Sequence, residues 1–352
     1  MGAASRCKQH LARSGGPIPH MLWGCTVLVL WIPSSAASQV VHLERRVLQI
    51  GTLDGPGAVF GEVTDAASIR AGPIVLDGRL NTLQLFDHNG RLSSTIARPG
   101  TGPGELARPV AVTANRDAVY VLDPGAGRVA VFAVKNDSVL YDRQLGIDFT
   151  GFDLCIVGDT ILVLGTREGA TIHAISVSGA GQRSFGLPWG PGHPLLDRSL
   201  SRGYLACAPA NPIVVAVSSI VPEVRAYRLN GDLEWTRRLP QFEVVDFRMN
   251  RDGSVTYRPG KAGYYDVVVG ATAIDRHHFL IQYGSIREGA SGHLDITDRR
   301  SIVFDSQGRA GPIQREVPRL LSVDQSIALA ASEDPFPKLS GFQFSVRMQG
   351  RQ

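Results

Sequence analysis

The chain has 352 residues, with 36 Lys and Arg against 32 Asp and Glu, 43% hydrophobic residues and a net charge of +4. That length and apolar content are enough to bury a core and exclude a disordered or collagen-like chain. The first apolar run, Met21 to Ile32, falls short of the about 20 residues that a membrane-spanning helix requires.

Arg6, Lys8 and Arg13 precede that run, and Pro33-Ser34-Ser35-Ala36-Ala37-Ser38 follows it, ahead of Gln39. This is the order of a secretory leader with small residues at the cleavage site. Residues 1–38 are therefore expected to be a cleaved signal peptide and residues 39–352 a single domain, secreted or periplasmic, with no transmembrane segment in the mature chain. Cys25 lies early in the apolar run and not at its end, which argues against lipid attachment. The leader takes three of the 36 basic residues and none of the 32 acidic ones, leaving a net charge of +1. With so little excess charge, no nucleic-acid partner is expected.

Val40 to Ile50 is a strand-like segment placed before the first repeat. Gly51 to Phe86 is then echoed by Gly100 to Phe132: Gly55-Pro56-Gly57 recurs as Gly102-Pro103-Gly104, and Leu76-Asp77 as Leu122-Asp123. A repeat of about 46 residues made of short apolar runs is the spacing of a propeller blade or solenoid unit. An aromatic residue three positions before Asn-Gly or Gln-Gly marks a recurrent hairpin at Phe86, Tyr227 and Phe304. Weaker copies fall at Phe132, Ile175 and Phe344, so six anchors predict six blades.

The second repeat is the most legible. Pro109 to Val112 is expected as its innermost strand, Ala118 to Leu122 as the second, Arg128 to Val134 as the third and Val139 to Gln144 as the outermost. Second strands are expected again at Ile161 to Leu164, Ile213 to Val217, Phe279 to Tyr283 and Ile327 to Ala331. The long interval between Tyr227 and Phe304 is shorter than two blades of about 40–45 residues. It is therefore read as one blade with insertions near 240–263 and 284–300, forming loops or protruding hairpins. No segment keeps helical periodicity over a dozen residues. The expected fold is all-β: a six-bladed β-propeller of four-stranded antiparallel blades, with Val40 to Ile50 closing the last blade as its outer strand.

The segment GPGEL-x-x-P-V-A-V followed by A-V-Y-V-L-D-P-G-A-G-R-V-A-V-F resembles the NHL repeat. The wider chain, including the ending Glu333-Asp334-Pro335-Phe336-Pro337, resembles exported bacterial six-bladed propellers of the NHL or TolB-like type. The match is good from Gly51 to Leu145 and degenerate afterwards. The resemblance implies a range of roles: scaffolds, peptide or glycan binders, lactone hydrolases that hold calcium in the channel, and a metal-dependent lyase.

The residues themselves name no reaction. Asp77 and Asp123 follow equivalent second strands and are expected to cap the next turn. His277-His278 falls by register on the turn between two inner strands, and neighbouring histidines point in different directions, so a metal role is not expected. No nucleophile elbow or phosphate loop is present. No catalytic or metal-ligating residue is assigned, and no resident cofactor is expected. Calcium stays open, with Asp153 and Asn211 as contributors. Cys155 and Cys207 hold matching places in neighbouring repeats. Such positions can lie beyond the about 4.4–6.8 Å Cα spacing of a disulfide, and two buried thiols are expected.

Crossings from the outer strand of one blade to the inner strand of the next run over the channel mouth, where ligands of ring-shaped β folds gather. The crossings Gly55 to Asp65 and Gly100 to Pro109 bring Glu62, Glu105 and Arg108 to that rim, and Trp189 in the loop Gly186 to Pro194 is expected to add an aromatic wall. The sequence therefore reads as a monomeric binding or scaffolding module that recognises a peptide, glycan or envelope protein at the channel mouth. The alternative is a hydrolase or lyase, lactonase-like and calcium-dependent, with its site in the channel.

Overall fold

Short apolar runs broken by Gly, Asn and Asp turns fold into antiparallel sheets arranged around a channel. The computed structural model describes residues 38–349 apart from 54–57, 209–210, 253, 259, 261–262, 289–293 and 325. The expected leader lies outside these residues except for Ser38, and so does the Gly55-Pro56-Gly57 element.

Strand β1 (Ser38–Ile50) comes first in the chain and joins the last blade. Blade one contains β2 (Asp65–Ile69), β3 (Gly72–Asp77), β4 (Thr82–Phe86) and β5 (Leu92–Pro99), with the short β6 (Glu105–Leu106) added parallel to β5. Blade two contains β7 (Ala111–Ala114), β8 (Ala118–Asp123), β9 (Arg128–Lys135) and β10 (Ser138–Gly146). Blade three contains β11 (Gly151–Val157), β12 (Thr160–Arg167), β13 (Ala170–Ser176) and β14 (Gln182–Phe185). Helix α1 (Pro194–Leu200) precedes blade four, which contains β15 (Gly203–Cys207), β16 (Ile213–Ser218), β17 (Glu223–Arg228) and β18 (Leu233–Arg238). A hairpin of β19 (Asp246–Met249) and β20 (Val255–Arg258) leads to blade five, made of β21 (Tyr265–Ala273), β22 (His278–Glu288) and β23 (Leu294–Asp305). Its outer place is filled irregularly by residues 310–314, which bridge to Phe304 and Ser301. Blade six contains β24 (Arg319–Asp324), β25 (Ile327–Ser332) and β26 (Lys338–Gln349), completed by β1 in the order β1-β26-β25-β24.

The expected six-bladed propeller, its hairpin anchors in third strands and its closure by the N-terminal strand are all present. Three local differences have physical reasons. The inner strand of blade two starts at Ala111 and not Pro109, because Pro109 has no N–H to donate, and only at Val110 does the backbone reach Leu122 O, at 2.9 Å. Helix α1 was not foreseen; its seven residues are too few to show a period, and Pro194 supplies a favourable first turn. Both insertions form protruding hairpins, β19–β20 being one and the outward extension of β22–β23 the other.

The core is divided into six clusters, one at each blade-to-blade interface. Second strands serve two of them at once. In β3, Ile74 and Leu76 pack toward blade two while Val75 packs toward blade six. Burial on both faces explains why these strands read as continuous apolar runs without polar alternation. Each buried Val, Leu or Ile contributes about 1.5–3 kcal/mol, and β1 adds Val40, Val41 and Ile50, all at most 5% exposed. Deleting residues 39–50 removes those side chains and bares the edge of β26. The melting temperature is expected to fall by about 10 °C or more; an unchanged melt would show that β1 does not close the ring in solution.

The expectation of two free thiols is corrected: Cys155 and Cys207 form a disulfide, with Cα atoms 5.9 Å apart. They lie on β11 and β15, the innermost strands of adjacent blades, and a propeller converges most tightly at its axis. Equivalent positions that would be far apart on outer strands come within bridging distance there. Cross-linking residues separated by 52 positions is expected to stabilise the fold by about 4 kcal/mol in the chain-entropy account. Non-reducing and reducing melts compared with those of a Cys155→Ser/Cys207→Ser variant measure this. Equal melts would mean that the bond contributes nothing.

Candidate functional site: the charged layer of the central channel

The crossings that enter the channel are held from below by the aspartates after the second strands. Asp77, 1% exposed, accepts backbone N–H bonds from Gly61, Glu62, Arg79 and Leu80 at 2.7–3.2 Å. Asp123, fully buried, accepts from Ala107 and Arg108 at 3.1 and 2.8 Å and lies 3.5 Å from the Arg128 guanidinium. Arg128 in turn donates to the carbonyls of Gly102 and Glu105. Asp77 caps the following turn as expected, Asp123 instead spends its carboxylate on Ala107, Arg108 and Arg128, and each ties down the crossing that enters its own blade.

Within this frame, only Glu62 of the four residues expected at the rim lines the central cavity. Glu105 is exposed and spends Oε2 on the Gly102 N–H at 2.9 Å, closing its own turn. Arg108 is exposed on the outer side of the crossing, anchored through its backbone. Trp189 is 8% exposed. It packs with Leu196 and Leu200 of α1 in the interface between blades three and four, under the Arg225 guanidinium at 4.6 Å. It is a core residue and not an aromatic wall, because α1 folds the loop back over the blade junction.

The cavity at the axis has a volume of about 760 Å³. Register against the second strands defines the layer where the inner strands enter it. Asp65 pairs with Leu76, Ala111 with Leu122, Asp153 with Leu164, Tyr204 with Val217, Gly270 with Gln282 and Arg319 with Ala331. Each of these six residues directly precedes one that packs against the preceding blade, so they occupy one level of the ring. Two carboxylates, a phenol and a guanidinium thus share a layer with two small residues.

The backbone orients the charged groups. Asp65 accepts the Ala66 N–H at 2.8 Å and, across the blade junction, the Val112 N–H at 2.7 Å. Asp153 repeats the arrangement two blades on, with Leu154 at 2.9 Å and Leu205 at 2.7 Å. Arg319 donates Nε to Val269 O and Nη2 to Thr64 O, both at 3.1 Å, spanning from blade five to blade one. At the junction of blades five and six, the same kind of inter-blade N–H, that of Leu320, is satisfied by the neutral Gln282 Oε1 at 2.7 Å. A neutral amide can therefore do the structural task, and the charges on Asp65 and Asp153 go beyond it.

Among the described residues neither carboxylate nor Arg319 has a salt-bridge partner. Asp65 and Asp153 are half-buried among the inner strands, and burial dominates their titration. It raises Asp65 from the usual 3.8 to about 6. Burial, and then the charge of Asp65, push Asp153 well above the ordinary carboxylate range. Burial also raises Tyr204. Groups kept charged or protonated at such cost gather at functional sites.

Calcium takes six to eight oxygen ligands, and the described residues of the channel do not gather such a set. Asp65 and Asp153 are separated by blade two, and a guanidinium occupies the same layer. Asn211, the other contributor considered for calcium, lies beyond the far end of β15 from Tyr204, where it donates to Arg276 O at 2.7 Å. Among the described residues no three His, Cys, Asp or Glu side chains converge on one point. His277 and His278 sit on the expected turn, their N–H groups capped by Asp275.

Sequence reasoning considered Asp153 only as a calcium contributor and missed Asp65, Tyr204 and Arg319. The usable signal was positional: all three stand at the first or second residue of an inner strand. Their spacings to the hairpin anchors Phe86, Tyr227 and Phe344 differ, at 21, 23 and 25 residues, so the repeat alone does not set them in one layer.

The geometry defines a six-bladed β-propeller with a charged axial cavity. Among solved structures the chain is similar to a member of the DUF4221 family from Bacteroides vulgatus, at 8% identity and a TM-score of 0.58, covering 89% of this chain and 99% of that one. It is also similar to BamB from Moraxella catarrhalis, at 15% identity and a TM-score of 0.45 over 86% and 98% of the chains. Virginiamycin B lyase from Staphylococcus aureus gives 10% identity and a TM-score of 0.45 over 87% and 99%. At such identities the first of these supports the fold alone, and the other two carry no argument. No protein-family model and no curated protein matches the chain. Among the described residues no helix is long and apolar enough to cross a membrane.

The raised carboxylate gives a signed pH dependence. Between pH 3.8 and about 6 the folded state holds a proton on Asp65 that the unfolded chain has lost. The stability due to Asp65 is therefore greatest at acid pH and falls as pH rises through that window. Relative to Asp65→Asn, the wild type should lose about 2 kcal/mol between pH 4 and 7. Urea titrations of both proteins across that range measure it, and a pH-independent difference would refute the shift.

Proposed function

We propose that this protein is an exported propeller of the NHL or TolB-like type that acts as a binding module, recognising its ligand at the mouth of the channel on the crossing face. The observation that carries the reading is the layer of Asp65, Asp153, Tyr204 and Arg319. Its ionisable groups lack salt-bridge partners among the described residues, and the backbone holds them in position around a cavity large enough for an organic ligand. Ionisable groups without partners suit recognition, since a ligand cation beside Asp65 or Asp153 would favour the ionised form that burial disfavours in the free protein. Export is supported by the leader-like N-terminus and by the Cys155–Cys207 disulfide, a bond that persists in oxidising compartments.

A hydrolase or lyase in the same channel is the competing reading, favoured by one observation: a carboxyl group titrating near 6 can exchange protons at neutral pH. A photo-reactive amino acid placed at Arg202, exposed at the mouth above Phe152, is expected to capture a partner in cells exporting the protein. The same group at Leu140, 58% exposed on the outer strand of blade two, is expected to capture none. Adducts from Leu140 alone would move recognition to the blade edges. Turnover of a lactone and ester panel by the purified protein, abolished by Asp65→Asn, would favour the enzyme.

A further inference from the structure

The order of residues around the charged layer says what kind of ligand it takes. Inner strands pack side by side in chain order, β2 against β7, β11, β15, β21 and β24 in turn, and β24 returns to β2. In a ring of six, blades three apart face each other. Asp153 on blade three therefore stands across the channel from Arg319 on blade six. Ala111 on blade two, buried at the junction with blade three, stands across from Gly270 on blade five, and Asp65 on blade one across from Tyr204 on blade four. A Cβ built on Gly270 would lie in ordinary contact with Leu320 O at 3.7 Å and Gln282 Oε1 at 3.8 Å, so the glycine itself adds no bulk to the channel. Arg319 uses Nε and Nη2 on carbonyls, and Nη1 has no hydrogen bond among the described residues. Asp153 accepts two backbone N–H groups, leaving lone pairs free for further donors.

Resting on the binding-module reading above, we propose that this layer binds a short peptide with free termini, its ammonium held by Asp153 and its carboxylate by Arg319. Asp153, whose ionised form an adjacent ammonium would favour, and a guanidinium on the opposite wall are complementary to a ligand with opposite charges at its two ends, and to neither a simple cation nor a simple anion. The choice of anion follows from the donors left free. Arg319 keeps Nη1 as the nitrogen without a protein partner among the described residues, which suits one carboxylate better than a phosphate with three oxygens to satisfy. The choice of a peptide over a free amino acid follows from size: about 760 Å³ is in the range of pockets that enclose drug-sized molecules. Tyr204, between Asp153 and Gly270 in the ring, offers a ring face and a hydroxyl to the body of the ligand.

The test is calorimetric titration of the purified full-length mature chain with pooled di- to tetrapeptides, followed by the best binder in three forms: free, N-acetylated and C-amidated. Free peptide is expected to bind, and either modification to weaken binding about tenfold or more, since each removes a charge-assisted contact. In Asp153→Asn the penalty for N-acetylation is expected to vanish while that for amidation persists; in Arg319→Lys the penalty for amidation is expected to shrink while that for acetylation persists. Blocked peptides that bind as tightly as free ones would overturn the proposal, whether or not the variants fold. So would no binding by any pool. Either result combined with capture from Arg202 would refute the peptide and leave the binding module standing; loss of that capture as well would remove both.

Discussion

Ring closure is the constraint on which the rest of this structure depends. Each blade presents two apolar faces, and every face is buried only if the sixth blade meets the first. The cluster that joins them draws Ile50 from β1 together with Phe60, Val75, Phe86, Leu329 and Leu339. It therefore unites residues from the beginning and end of the domain. The chain achieves this by giving its first strand to its last blade, where β1 follows β26 over most of its length. Backbone pairing along a whole strand edge, added to burial of its side chains, makes closure cooperative with folding of both ends.

Once the ring is closed, the crossings have little freedom. Asp77 and Asp123 hold them through several backbone N–H bonds each, and Gly104, with φ +77°, lets the Gly102-Pro103-Gly104-Glu105 turn lie against Tyr141. The same convergence toward the axis that permits the Cys155–Cys207 bond draws Asp65, Asp153, Tyr204 and Arg319 into one layer. Structural and functional demands meet in the two aspartates: each stitches neighbouring inner strands together and keeps a carboxylate facing the cavity. The neutral Gln282 performs the stitching alone at another junction, which separates the two tasks.

The expected rim residues show why a site is harder to read than a fold. Glu62, Glu105 and Arg108 all lie on crossings between blades. A crossing residue nevertheless has two sides, and only the folded path decides which faces the cavity. Glu105 turned inward to its own loop, Arg108 outward, and Trp189 was covered when α1 packed Leu196 and Leu200 onto blade three. A seven-residue helix has too little length to leave a period in the sequence, so the element that buries Trp189 is not legible there.

What the sequence determined by itself is everything that repeats locally: strand length, turn chemistry at Asn89-Gly90 and Asn230-Gly231, the number of blades, and the spare strand before the first repeat. These depend on neighbours a few residues apart, and a 46-residue period copies them often enough to be recognised. What the tertiary structure alone decided is which non-repeating residues meet. Asp65 and Arg319 belong to one layer only because the ring closes, and Asp153 faces Arg319 only because there are six blades and not five or seven. Cys155 and Cys207 bond only because inner strands crowd at the axis. These relations lie across the ring, between residues separated by 52 to 254 positions, and no local pattern records a distance that exists only after closure.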